Sequence, residues 1–81
     1  MTLDSAAVTR ASRALRGYSL SGESKDRDTA HAALSDLILA AQSSGDTAVE
    51  ERLRQARELL AVGQAAANDA DNIVGDITLN Q

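Results

Sequence analysis

The chain has 81 residues, a formal net charge of -4, one aromatic residue, one histidine and no cysteine or proline. This composition excludes disulfides and thiolate chemistry, and the acidic balance argues against nucleic acid or an anionic membrane as a partner. No stretch approaches the roughly 20 apolar residues of a membrane span, and no motif indicates a metal or cofactor site. We therefore expect one domain over residues 1–81 that has no cofactor, no small-molecule substrate and no enzymatic activity.

Helix-favouring residues dominate, and apolar residues nowhere alternate with polar ones over the length of a strand, so the predicted fold class is all-α. The first predicted helix has its cap at Thr2 or Asp4. It ends near Arg16, because Gly17 and Gly22 would each cost about 1 kcal/mol inside a helix. A turn or kink is expected between these two glycines.

The second predicted helix opens between residues 23 and 29 and runs to Ala41. The segment Gln42-Ser43-Ser44-Gly45-Asp46 predicts a tight turn, in which Gly45 takes the left-handed conformation that commonly ends a helix. Thr47-Ala48-Val49-Glu50 matches a capping box with Thr47 as the N-cap. A new helix is therefore expected to begin there.

The third predicted helix runs from about Thr47 to about Gly75, roughly 40 Å at about 1.5 Å per residue, with Glu50 placed to pair with Arg54. Its apolar positions alternate in steps of four and three, which is the heptad pattern of a helix that packs along one narrow edge. These positions, the heptad seam, are Val49, Leu53, Ala56, Leu60, Gly63, Ala67, Ala70, Val74 and Ile77.

Two architectures fit these helices: a helical hairpin, or a three-helix bundle with a long C-terminal heptad helix. The seam could pack on the first two helices of the same chain, or on another chain. An alanine-rich core buries little area per residue, and the chain lacks Phe and Trp, so we favour a partner. The seam residues are accordingly the predicted partner-binding site, and Gly63 would permit close approach of the two helices.

Three groups of residues were candidates for chemistry, and each has a simpler interpretation. Asp28, His31 and Ser35 share helical spacing, but they lack the context of a nucleophile and an oxyanion site. The acidic residues at positions 69, 71 and 76 do not have the spacing of a calcium loop. The arginines at 10, 13, 16, 52, 54 and 57 have acidic neighbours and no interleaved aromatic residues, which favours solvated helix flanks over a nucleic-acid surface.

The layout of two helical arms about Ser43-Ser44-Gly45 resembles the small helical-hairpin proteins of bacterial type VII secretion systems, the WXG family of early secreted antigens. The likeness extends to the tail, in which residues 60–67 lead into Asn72-Ile73-Val74-Gly75-Asp76. Of the family's Trp-X-Gly turn only the glycine matches. Of its Tyr-X-X-X-Asp export signal the acid at Asp76 is kept, with Asn72 in place of the tyrosine.

The resemblance implies a partner role, in which a small helical protein docks on the helical targeting domain of a larger toxin. Our leading hypothesis is a small adaptor or chaperone that packs on another helical protein, as a hetero-oligomer in preference to a homodimer. The alternative is a stand-alone regulatory or immunity protein that blocks a toxin or an enzyme. The N-terminus has no basic region followed by an apolar one, so we expect a cytoplasmic protein, or one exported without a cleavable signal peptide.

Overall fold

A computed structural model describes residues 5–79, and these residues form four α-helices and no strand. The helices are joined at residues 22–23, at residues 45–46 and at residue 63. The all-α prediction is confirmed. The helices are α1 (Ser5–Ser21), α2 (Ser24–Ser44), α3 (Thr47–Val62) and α4 (Gln64–Leu79).

The four helices pack as a ring in which α1 contacts α2 and α4, and α3 also contacts α2 and α4. Neighbouring helices are antiparallel. Gln64 at the start of α4 bonds to Ser19 near the end of α1, and Arg57 late in α3 bonds to Ser35 midway along α2. The fold is an up-down-up-down four-helix bundle that measures 34 × 20 × 18 Å.

The core lies between the four helices, and every buried side chain among the described residues is apolar or, in the case of Tyr18, aromatic. Seven of the buried positions are alanines, three of them on α4, and small side chains let neighbouring helices approach closely. The largest fully buried side chains, which supply most of the apolar area, are Leu15, Leu34, Leu37, Leu53, Leu60 and Val74.

The first helix is longer than the sequence predicted. It does not end near Arg16 but continues through Gly17 to Ser21, and the break falls at Gly22, which has a φ of 67°. The extra turn places Tyr18 on the core face, where it is only 6% exposed. Burial of this aromatic ring offsets the cost of a glycine inside the helix, which is about 1 kcal/mol.

The predicted long third helix is wrong, because the chain reverses direction at Gly63. A continuous helix over residues 47–79 would be roughly 50 Å long at about 1.5 Å per residue, whereas the longest dimension of the molecule is 34 Å. Because the chain folds back, both halves of the heptad seam face the core, which α1 and α2 also line. A four-helix bundle therefore replaces the predicted hairpin or three-helix bundle.

The turn between α2 and α3 lies where the sequence placed it. Gly45 has φ 74° and ψ 18°, the left-handed conformation that was predicted. Its N–H donates to the carbonyl of Gln42 at 3.1 Å, and the N–H of Asp46 donates to that of Ala41 at 3.0 Å. The end of α2 is thus satisfied by the backbone of the turn itself.

The cap of α3 differs by one residue from the predicted capping box. Asp46, not Thr47, is the N-cap, and its carboxylate accepts a hydrogen bond from the Val49 N–H at 3.2 Å. The Glu50 carboxylate forms the predicted pair with Arg54, at 2.6 Å. Asp46 serves better because a carboxylate at the positive end of the helix dipole accepts a charge-assisted bond. The predicted caps of the first helix, at residues 2 and 4, lie outside the described residues.

Candidate functional site

The heptad seam, predicted to bind a partner, faces the interior of this chain. Two of its members are only half-buried: Val49, which packs at the edge of the core, and Gly63, at the junction of α3 and α4. The other seven are buried with at most 3% exposure: Leu53, Ala56, Leu60, Ala67, Ala70, Val74 and Ile77. Packing of the seam within its own chain, one of the two possibilities that the sequence left open, accounts for this burial. A partner could reach these seven side chains only if the bundle opened.

The residues around His31 do not form a line of acid, base and hydroxyl. His31 is exposed at the side of α2, and the hydroxyl of Ser35 accepts a hydrogen bond from the Arg57 guanidinium at 3.3 Å. The carboxylate of Asp28 lies 3.8 Å from the guanidinium of Arg27. The Ser35 hydroxyl is therefore bonded elsewhere, and Asp28 makes only an exposed ion pair beyond hydrogen-bond distance. In residues 5–79 no three acidic or histidine side chains are grouped so as to hold a metal ion.

The best-defined polar cluster joins α1 to α4. Asp71 has a side chain that is only 12% exposed, and its two carboxylate oxygens have different partners. Oδ1 accepts a hydrogen bond from the Ser12 hydroxyl at 2.5 Å, and Oδ2 accepts one from the Arg16 Nε at 3.1 Å. Both partners belong to the same chain, so this cluster holds the bundle together and leaves no acceptor atom directed at a ligand.

The three acidic residues of α4 do not converge. Asp71 turns towards α1, whereas Asp69 and Asp76 are exposed. Successive residues of a helix are about 100° apart around its axis, so positions 69 and 71 lie on nearly opposite sides. Three carboxylates that point in different directions, one of them bonded within the bundle, do not make a cation site.

The outward side of α2 is almost uncharged beyond the first turn of the helix. Five exposed residues form this surface, which we call the outer α2 face: Ala32, Asp36, Leu39, Ala40 and Ser43. Leu39 is 60% exposed at its centre, and Asp36 is the only residue with a formal charge between Thr29 and Gly45. The other charges of α2 are confined to its first turn, at residues 25–28, whereas the charges of α1 and α3 are spread along the helix.

Two other large apolar side chains are strongly exposed, and each stands alone. Leu20 is 87% exposed in the last turn of α1, and Val62 is 79% exposed at the end of α3. Arg16 lies one turn before Leu20, and Glu58 one turn before Val62. Single exposed apolar residues with charged neighbours are common on protein surfaces. Leu39 also has a charged residue, Asp36, one turn before it, but it differs from these two in the small uncharged residues Ala32, Ala40 and Ser43 that share its side of the helix.

Sequence reasoning missed both the Asp71 cluster and the outer α2 face. Ser12 and Asp71 are 59 positions apart, so only the topology brings them together. The low charge of residues 30–44 is visible in the sequence, but the core-facing apolar pattern of α2 does not itself indicate a binding surface on the opposite side.

Comparison of the chain with protein-family models, with curated proteins and with solved structures found no match. None of the helices in residues 5–79 combines the length and apolar character needed to span a membrane.

Proposed function

We propose that this protein is a small helical partner protein that binds another helical protein through the outer α2 face. One observation carries the proposal: α2 has apolar and small residues on its outward side as well as on its core side. Leu39 is 60% exposed at the centre of the outer α2 face, and Asp36 is the only charged residue of that face. A helix that is apolar on both sides is characteristic of one that is covered on both sides.

The composition of this face determines the kind of partner it suits. Ala32, Ala40 and Ser43 are small, so the backbone of a second helix could approach α2 closely. Leu39 would enter the groove between side chains of that helix, and apolar side chains at the centre of an interface contribute most of its stability. Asp36 would pair with a lysine or arginine of the partner. A partner helix that presents apolar residues and one basic residue is therefore favoured.

The resemblance noted in the sequence suggests a class for the partner. Small helical proteins of type VII secretion systems pair with helical targeting domains, and such a domain would present the apolar helix that the outer α2 face suits. Here four short helices stand where that family has two long ones. The assignment to type VII secretion, and export together with the partner, therefore rest on the sequence resemblance alone.

The second candidate is the regulatory or immunity protein that blocks a toxin or enzyme. It is favoured by one feature, the charge of α4, which carries Asp69, Asp71 and Asp76 and no basic residue. In that case exposed acids of α4 would face a basic surface on the target, and binding would weaken steeply as salt is raised. Binding by the outer α2 face, which is largely uncharged, would depend little on salt.

The test compares apolar-to-acid substitutions at two exposed leucines. We expect Leu39→Glu to abolish copurification of the partner from the native host, whereas Leu20→Glu retains it. Both side chains are exposed, so neither change should alter helix content or melting temperature by more than a small amount. The mass of the purified complex, measured by light scattering, gives its stoichiometry. Retention of the partner by Leu39→Glu would contradict the proposal.

A third variant separates the two candidate functions. Asp69→Asn removes an exposed acid of α4 and leaves the outer α2 face unchanged. A partner that is lost with Asp69→Asn and kept with Leu39→Glu would favour the inhibitor candidate. A partner that is lost with Leu39→Glu and kept with Asp69→Asn would favour the adaptor.

A further inference from the structure

The junction between α3 and α4 is a single residue. Val62 ends α3, Gln64 begins α4, and Gly63 between them has φ 146° and ψ -176°. A Cβ built on Gly63 would meet no other atom within 4 Å, so glycine is needed there for its backbone conformation and not for space. Any other residue would be strained in this hairpin, but not in a straight helix.

The heptad pattern passes through this junction without interruption. Leu60, Gly63 and Ala67 keep the steps of three and four that the pattern has elsewhere. The reversal between α2 and α3 is different, since five residues of turn chemistry separate the two apolar patterns, with a left-handed Gly45 and an Asp46 cap. The sequence therefore specifies a reversal at residue 45, whereas at residue 63 it is equally suited to a continuous helix.

The reversal at Gly63 also leaves the C-terminus of α3 and the N-terminus of α4 weakly capped. Gly63 does not have the left-handed conformation that satisfies the last carbonyls of a helix, and the last turn of α3 has no basic residue. The first turn of α4 has no acidic residue. In a continuous helix the free carbonyls of α3 and the free N–H groups of α4 would bond to each other. Short connections of this kind favour exchange of elements between identical chains.

We propose that two copies of this chain form a dimer by exchanging α4, with Gly63 as the hinge. In this dimer α3 and α4 of each copy form one continuous helix, and the α4 of one copy packs against α1 and α3 of the other. The second copy is the partner that fits, because it alone carries the surface against which α4 already packs. The bonds from Ser12 and Arg16 to Asp71 form between copies. The two long helices cross near their Gly63 residues, where the lack of side chains permits close approach.

The first test measures the monomer–dimer equilibrium by analytical ultracentrifugation. We expect Gly63→Ala to lower the dimer dissociation constant by about tenfold or more, because alanine is strained in the hairpin and favoured in the helix, at two hinges per dimer. Insertion of Gly-Ser-Gly after Gly63 relaxes the hairpin and should give a monomer. Gly17→Ala is the control, since it improves a helix interior away from the hinge and should leave the equilibrium unchanged. A Gly63→Ala variant that is folded and monomeric at every concentration would overturn the proposal.

The second test distinguishes exchange of α4 from other dimers. The chain has no cysteine, so the substitutions Glu51→Cys and Asn72→Cys introduce two unique labelling sites, both exposed. Spin-labelled chains are diluted with unlabelled ones before the dimer forms. Double electron–electron resonance then measures only the distance between the two labels of one chain. The backbone distance between the sites is below about 20 Å in the hairpin, from the width of the bundle, and about 32 Å in a continuous helix.

The expected result for the Gly63→Ala dimer is the long distance. A dimer that keeps the short distance would be of another kind and would overturn the proposal. If Gly63→Ala fails to fold, the wild-type chain labelled at the same sites and concentrated until it dimerises gives the same comparison. This dimer does not involve the outer α2 face, so Leu39→Glu should not affect it. Failure of either proposal therefore leaves the other to be judged separately.

Discussion

The side-chain amide of Gln64, the first residue of α4, donates a hydrogen bond of 2.8 Å to the backbone carbonyl of Ser19 in the last turn of α1. Carbonyls in the last turn of a helix lack a helical partner, so this bond satisfies one that would otherwise need water. The same side chain lies against Gly22, where an added Cβ would be 2.8 Å from the Gln64 Oε1. One glutamine thus ties the α1–α2 turn to the start of α4.

Gly22 and Gly17 should respond in opposite directions to the same substitution. Gly22→Ala forces a side chain into a φ of 67° and displaces Gln64, so we expect a loss of about 1–2 kcal/mol in the free energy of unfolding. Gly17→Ala should gain about 0.5–1 kcal/mol, because Gly17 lies inside a helix with open space around it. Thermal denaturation followed by circular dichroism measures both. Equal melting temperatures would show that Gly22 is not held in this conformation.

Asp71 should matter more to stability than its cationic partner. Asp71→Ala removes a side chain that is 12% exposed and accepts bonds from both Ser12 and Arg16, so we expect a cost of about 1–3 kcal/mol. Arg16→Ala should cost at most about 1 kcal/mol, because the Arg16 side chain is 72% exposed. Urea unfolding of the two variants gives the comparison. A larger loss in Arg16→Ala would mean that the arginine stem, not the carboxylate, holds α1 against α4.

The features that the sequence predicted correctly are those decided by local chemistry. The Gly45 turn depends on one left-handed residue and the Glu50 pair on helical spacing, and neither needs the rest of the fold. The end of α1 and the reversal at Gly63 depend on tertiary packing. Gly17 stays helical because Tyr18 is buried, and Gly63 bends within an apolar pattern that continues on both sides. No local signal separates these two glycines from each other.

The candidate site was less predictable from the sequence than the fold. An unbroken heptad seam is typical of contact with another chain, but a chain that folds back on itself can use the same pattern internally. Most seam residues are buried in the core of this chain, and the proposed binding surface, the outer α2 face, contains none of them. The bond between Arg16 and Asp71, 55 positions apart, needed the topology.

The stability of variants at position 45 should depend on how well the new residue tolerates a positive φ. Its φ of 74° is accessible to asparagine at small cost, whereas a β-branched residue is strongly disfavoured there. We therefore expect Gly45→Asn to be nearly as stable as the wild type and Gly45→Val to melt at a clearly lower temperature. The open space around Gly45 means that steric contact does not contribute to the difference. Equal stability of the two variants would indicate that the turn adopts another conformation.

Substitutions at Leu60 and Val62 test whether the heptad seam lines the core of this chain. Leu60 is 1% exposed, so Leu60→Ala should cost about 2–5 kcal/mol and Leu60→Asp should unfold the chain. Val62→Ala, two residues later and 79% exposed, should leave the free energy of unfolding within about 0.5 kcal/mol of the wild type. Chemical denaturation gives both values. A stable, monomeric and fully helical Leu60→Asp would show that the seam does not line the core.

His31 should be dispensable for every activity of the protein. It is exposed on α2, the Ser35 hydroxyl accepts a hydrogen bond from Arg57, and the Asp28 carboxylate is exposed, 3.8 Å from Arg27. A histidine without an orienting partner has no evident means of acting as a general base. We therefore expect His31→Ala to match the wild type in melting temperature and partner binding, whereas Leu39→Glu loses the partner in the same assay. If His31→Ala fails while Leu39→Glu passes, the function lies on the α3-facing side of α2, and the outer α2 face is not the binding surface.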